Sequence, residues 1–209
     1  MDNKMIIVEG YLASGKSTFA GWLSKELRIP CLIKDTFKEA LCSSIPIADR
    51  KESSRFSAVT FDAMMYVTER MLENEYPIIL EGNFVPAGIK AVDEAEAIRQ
   101  LIRRYGYSAL TFKFVGDTPI LHHRFTEREM TPERGQANRI GSEVSFEDFD
   151  KWCHNLDAFE VEGAVIRVDG TDFDKVHYGE LAEAARRFFG RPLYPALRCP
   201  GCGCQVLIK

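Results

Sequence analysis

The residues with the clearest chemical purpose are consecutive: Gly10-Tyr11-Leu12-Ala13-Ser14-Gly15-Lys16-Ser17-Thr18. They follow G-x-x-x-x-G-K-[ST] in full. The glycines let backbone N–H groups turn toward one concavity, and a following helix N-terminus adds partial positive charge. A phosphate fits such a cup. Lys16 can reach the β- and γ-phosphates, and the Ser17 hydroxyl can ligate Mg²⁺. The expected phosphate-binding set is Gly10, Ala13, Ser14, Gly15, Lys16, Ser17 and Thr18. With ordinary residue frequencies, a chance match in a chain of this length is on the order of one in a hundred.

Further chemistry sits just after other apolar runs. Asp35 follows Cys31–Ile33 and has two readings: an N-cap for the next helix, or a general base that takes the proton of an acceptor hydroxyl. Residue types and position do not separate them. Glu81 ends the run Ile78-Ile79-Leu80, the Walker-B position, where it can hold the Mg²⁺ hydration shell or contact substrate. Asn83 is an ordinary turn residue as often as a ligand. Arg124 and Arg128 are spaced i, i+4 and share a helix face, with Arg134 and Arg139 beyond them. Arginines folded over a nucleotide would neutralise a transferring phosphoryl group. The four histidines, His122, His123, His154 and His177, lack metal-ligand spacing and read as surface or packing residues.

These residues need strands and helices to carry them. Short apolar runs without polar alternation occur at Met5–Val8, Cys31–Ile33, Ile78–Leu80, Leu110–Val115 and Val165–Val168, as in strands buried on both faces of a parallel sheet. Amphipathic stretches separate them: Lys16–Leu27, Thr36–Leu41, Phe56–Glu73, Asp93–Tyr105, Pro119–Glu129, Phe146–Phe159 and Val176–Phe189. This alternation predicts a doubly wound α/β fold, which binds ligands at the carboxyl ends of its strands. The polar segment Met130–Ser145 is long enough to serve as a lid, and Ser43–Ser54 reads as a second irregular region.

Composition limits the partners. The chain has 209 residues, 45% hydrophobic and 28% charged, with a net charge of −4. That suits one globular domain with at most a short appendage, and it disfavours a nucleic-acid partner, which needs a basic groove. No apolar run approaches a membrane span, and Met5–Val8 is too short for a signal peptide, so a cytoplasmic location is expected. Cys31, Cys42 and Cys153 are scattered and read as reduced thiols.

The chain resembles the P-loop kinases grouped with zeta toxins, chloramphenicol phosphotransferase and the 5′-polynucleotide kinase domain. More distantly it is similar to shikimate, gluconate and adenylate kinases. The resemblance rests on GYLASGKST at 10–18, KDTFK at 34–38, IILEGNF at 78–84 and GDTPILHHRFTERE at 116–129. It implies a three-layer α/β/α domain over residues 1–190, with five parallel strands and a helical lid at about 124–145. It implies ATP and Mg²⁺ as cofactors, Asp35 as the base, and Lys38 where related enzymes often place an arginine near the substrate. Arg124 and Arg128 fall on the lid arginines. Glu81 departs from the Asp more usual at that strand end.

Residues 191–209 form a tail that ends Cys199-Pro200-Gly201-Cys202-Gly203-Cys204. C-P-x-C-G resembles a zinc knuckle, but a structural zinc site needs four ligands. One knuckle with Cys204 as a third ligand must be completed elsewhere in the chain or by a second subunit, or it holds no metal. Zinc stays open here and no ligand is assigned. The function expected is transfer of the γ-phosphoryl group of Mg·ATP to a hydroxyl of a small molecule. Catalysis would fall to Asp35, Lys16, Arg124 and Arg128, substrate contacts to Asp35, Lys38, Glu81 and Asn83, and Mg²⁺ to Ser17 and Glu81, the latter through water. The alternatives are a nucleotide-switched binding module and a 5′-hydroxyl polynucleotide or nucleoside kinase. The acceptor, the choice of ATP or GTP and the oligomeric state are not legible in the sequence.

Overall fold

The computed structural model describes residues 3–45, 47, 50–85, 93–129, 131 and 143–190, and the backbone of 197–198 and 205–206. Five parallel strands form its sheet: β1 (Lys4–Gly10), β2 (Cys31–Ile33), β3 (Ile79–Glu81), β4 (Ser108–Val115) and β5 (Gly163–Asp169), in the order β2-β3-β1-β4-β5. β1 runs through the middle, with Val8 beside Glu81 of β3 and Gly10 beside Phe114 of β4. The connection leaving β1 runs to one side of the sheet, to β2, and the one leaving β3 runs to the other, to β4. The carboxyl ends of β1 and β3 therefore flank a topological switch point, where such sheets open a crevice.

Both faces of β1 are buried, which explains why its sequence shows no polar alternation. Ile6 and Val8 pack with Phe19 and Leu23 of α1 (Lys16–Leu27) and Ala182 and Ala185 of α7 (Tyr178–Phe189). Met5 and Ile7 pack on the other side with Phe61 and Met64 of α3 (Arg50–Glu73) and Ile98 and Ile102 of α4 (Glu94–Tyr105). This gives the three layers. A third cluster joins Tyr11 to Leu121 and Phe125 of α5 (Thr118–Glu129) and to Phe149 and Cys153 of α6 (Phe146–Asn155).

Several boundaries differ from expectation, three of them near groups that matter to the site. The helix expected at Thr36 starts two residues earlier, as α2 (Lys34–Leu41). Ile33 holds its N-cap position, so Asp35 lies in the first turn and does not cap. A first-turn acid still complements the helix dipole. Ser43–Ser54 was expected to be irregular throughout, but α3 begins at Arg50. There Ser53 Oγ accepts a hydrogen bond from buried Lys38 at 2.7 Å, a tertiary tie that local propensity does not report. The amphipathic stretch Phe146–Phe159 breaks after Asn155 into a 3-10 turn, Leu156–Ala158, whose carbonyls are drawn toward Lys113. The short strands β6 (Leu197–Arg198) and β7 (Gln205–Val206) pair antiparallel. Arg134 and Arg139, most of the expected lid, and Cys199, Cys202 and Cys204 lie outside the described residues. Among the described residues no helix is long and apolar enough to cross a membrane.

Candidate active site

The cup after β1 is shaped by close backbone contacts. Gly10 has φ +125°, and a Cβ there would lie 2.0 Å from the Phe114 carbonyl oxygen, so no other residue fits without moving β4. Tyr11 N–H donates to that same oxygen at 2.8 Å. The Ser14 hydroxyl and the Lys16 ammonium both donate to the Tyr11 carbonyl, at 2.7 and 3.1 Å. Ala13 takes a left-handed φ of +56°, an uncommon conformation for a residue with a side chain. The loop is thus folded back on its own first turn, with α1 starting directly behind it.

Charge converges on this loop. Lys16 is buried, and its ammonium pKa is pulled down by burial and held up by Glu81 and Asp35. Ser17 Oγ donates to Glu81 Oε1 at 2.9 Å. Glu81 is 2% exposed, and burial pushes its carboxyl up to about 7 against the pull of Lys16. A hydroxyl and a desolvated carboxylate, side by side at a phosphate cup, form a donor set that suits a hard divalent cation such as Mg²⁺. Glu81 is longer than the expected Asp, and from the end of β3 it reaches Ser17. Arg128, half-buried on α5, lies in electrostatic reach of both Lys16 and Glu81. Thr18 is exposed at the start of α1.

Arg124 occupies a different place from the expected phosphate contact. Its guanidinium donates to the Gly170 carbonyl at 2.7 Å and to the Thr171 carbonyl, and it lies 4.0 Å from the centre of the Phe173 ring. It therefore ties α5 to the loop after β5. Ala13, Gly15, Thr18, Arg124, Arg128 and Phe173 line a cleft of about 330 Å³ that opens beside the cup.

On the other side of the cup lie the residues expected to meet an acceptor. Asp35 is exposed at the start of α2 and is close enough to Lys16 and Glu81 to perturb both. Lys38, one turn on, is buried against Ser53. Asn83 Oδ1 is buried with no hydrogen-bond partner among the described residues. The sequence reading brought Lys16, Ser17, Asp35, Glu81 and Arg128 to one place, and the structure does the same.

It missed the clamp behind Asp35. The Lys34 ammonium sits 2.5 Å from Glu94 Oε1, buried, and faces the rings of Phe61 and Phe84 at 5.2 and 5.8 Å. Glu94 Oε2 accepts from Val85 N–H at 3.1 Å. One ion pair thus joins the starts of α2 and α4, the middle of α3 and the loop after β3. Nothing in the chain marks two residues 60 apart as partners. Phe173 and the Gly170–Thr171 carbonyls were also missed, although they follow a predicted strand. Among the described residues no cluster of three or more His, Cys, Asp or Glu could hold a metal ion.

Comparison with known proteins agrees with this geometry. The family model described as "AAA domain" matches residues 5–156. A protein from Chloroflexus aurantiacus J-10-fl, a kinase by designation only, superimposes with a TM-score of 0.75 at 22% identity, covering 90% of this chain and 96% of its own. Shikimate kinase from Bacteroides thetaiotaomicron gives 0.55 at 13% identity, covering 90% and 98%. A gluconokinase from Sinorhizobium meliloti 1021 gives 0.53 at 15%, covering 90% and 97%. No protein of curated function matches the chain. At these identities the likeness to solved structures is one of fold. With the family model spanning most of the sheet and the whole cup, the chain belongs to the AAA domain family, and its fold is that of the P-loop kinases.

Proposed function

We propose that this protein is an ATP-dependent kinase that phosphorylates a hydroxyl of a small molecule. The observation that carries the reading is the contact of Ser17 Oγ with Glu81 Oε1 beside buried Lys16, with Asp35 within electrostatic reach. It supports a site where triphosphate charge and an acceptor meet. The triphosphate lies in the cup, where backbone N–H groups and Lys16 bind its β- and γ-phosphates. Ser17 and Glu81 would hold Mg²⁺, which would supply neutralisation of phosphate charge. The adenine ring of the nucleotide lies in the cleft lined by Arg124 and Phe173.

Asp35 accepts the proton of the acceptor hydroxyl. The acceptor oxygen forms the new bond to the γ-phosphorus as the bond to the β–γ bridging oxygen breaks, and ADP leaves. Arg128 screens charge on the transferring group. The transition state is loose, so the chain contributes mainly position and electrostatics. Lys38 and Asn83 face the acceptor. Residues 1–190 form the catalytic unit.

The test has two parts. A panel of hydroxylated metabolites, monitored by ADP release, is expected to give acceptor-stimulated turnover. Asp35→Asn is then expected to lower phosphoryl transfer by roughly 10²–10⁴-fold, with Mg·ATP affinity close to wild type. Acceptor phosphorylation that survives the substitution refutes the assignment of the base.

A further inference from the structure

Glu9, the residue before the first glycine of the cup, is fully buried. Neither of its carboxylate oxygens has a hydrogen-bond partner among the described residues. The ammonium of Lys113 on β4 stands 3.5 Å from Oε1, too long for a good hydrogen bond but close enough for charge compensation. Lys113 is buried as well. It donates to the carbonyls of Asp157 at 2.9 Å and of Leu156 and Phe159 at 3.3 Å. Its donors thus serve the turn that ends α6, and its charge serves Glu9. The phosphoryl-transfer mechanism uses neither residue, and a buried charge pair is costly to keep without a purpose.

That turn leads to the cup. Tyr11 O–H donates to Asp157 Oδ2 at 3.0 Å. Tyr11 packs in one cluster with Phe149 and Cys153 of α6, and Leu12 and Ala13 pack against the same cluster. The arm Tyr11–Ala13, which includes the left-handed Ala13, therefore leans on α6. The far end of α6 is pinned by Lys113.

We propose that Lys113, held in place by Glu9, is a positioning residue for the phosphate cup. By fixing the carbonyls of Leu156–Phe159 it fixes α6, and α6 with Asp157 keeps the arm Tyr11–Ala13 in the shape that presents N–H groups to a triphosphate. The inference rests on reading the cup as a nucleotide site.

The experiment is calorimetry of the full chain with a magnesium-bound, non-hydrolysable ATP analogue, alongside thermal melting. Lys113→Met is expected to weaken binding about tenfold or more, and Lys113→Arg, which keeps charge and donors, to stay within about threefold of wild type. The double variant Lys113→Met/Glu9→Gln separates positioning from mere stability. It removes the stranded charge, so it is expected to melt above Lys113→Met yet bind as weakly as Lys113→Met. If the single variant fails to fold, the double variant decides. A double variant that recovers both stability and affinity, or a folded Lys113→Met that binds like wild type, overturns the inference alone. A wild-type chain that binds no nucleotide overturns the functional reading and this inference with it.

Discussion

Replacing Lys34 by Met tests how the acceptor side is held together. The ammonium is 2.5 Å from Glu94 Oε1, with side-chain exposures of 9% and 3%. Removing it strands a buried carboxylate that still accepts from Val85 N–H. Breaking such a pair from one side costs roughly 3–5 kcal/mol. The methionine recovers part of this, because its sulfur would face the Phe61 and Phe84 rings, a contact of about 0.3–1.5 kcal/mol. A net loss of about 2–4 kcal/mol follows, which for a domain of this size lowers Tm by roughly 4–16 °C. Lys34→Met/Glu94→Gln removes both charges and keeps an oxygen for Val85 N–H. It is expected to recover to within about 1.5 kcal/mol of wild type, because a well-packed neutral replacement of a buried pair is often close to neutral. Urea denaturation at pH 7 of wild type, both single variants and the double measures these differences. The reasoning fails if Lys34→Met lies within about 0.5 kcal/mol of wild type, the range of ordinary surface substitutions, or if the double variant is less stable than Lys34→Met.

Two further expectations follow from the same geometry. Burial pushes Glu9 and Glu81 up to about 7 from an ordinary 4.5, so between those values the native chain holds protons that the unfolded chain has released. Stability should therefore be greatest below about pH 4.5 as far as these groups are concerned, fall as pH rises toward 7, and level off above it, by up to about 3 kcal/mol per group. Denaturation at pH 5, 6 and 7 without nucleotide or metal checks the sign, and Glu9→Gln should remove its share of the slope; a slope unchanged in that variant refutes the assignment. Phe173→Leu removes the ring beneath Arg124 and should weaken Mg·ATP binding by about two- to fivefold, the worth of an exposed cation–π contact, with little change in stability. Titration calorimetry with the nucleotide measures it, and an unchanged affinity would place the adenine ring elsewhere.

Local chemistry made much of this protein legible before any coordinates. The cup is nine adjacent residues, so its function depends on covalent order, and strand, loop and helix could be read from one stretch. The five strands showed as apolar runs because each is short and much of the sheet is covered on both faces. Glu81 and Asp35 were singled out because they sit at strand ends, where a parallel sheet delivers its ligands. Helix boundaries slipped where distant groups intervened: Lys38 at the start of α3, and Lys113 at the break after Asn155.

What the chain order could not reveal is which charges share a burial site. Lys34 with Glu94, Glu9 with Lys113, and Arg124 with the carbonyls of Gly170 and Thr171 are separated by 46 to 104 residues. In sequence nothing marks these pairings, and Arg124 reads instead as a lid arginine over the phosphates. Only the packed sheet and its layers remove water from them, and only without water does a specific partner become obligatory. The motif therefore determined that a triphosphate tail is to be gripped. The tertiary structure decided which residues hold that grip in shape, because burial turns a charge from an indifferent neighbour of water into a group that must be matched.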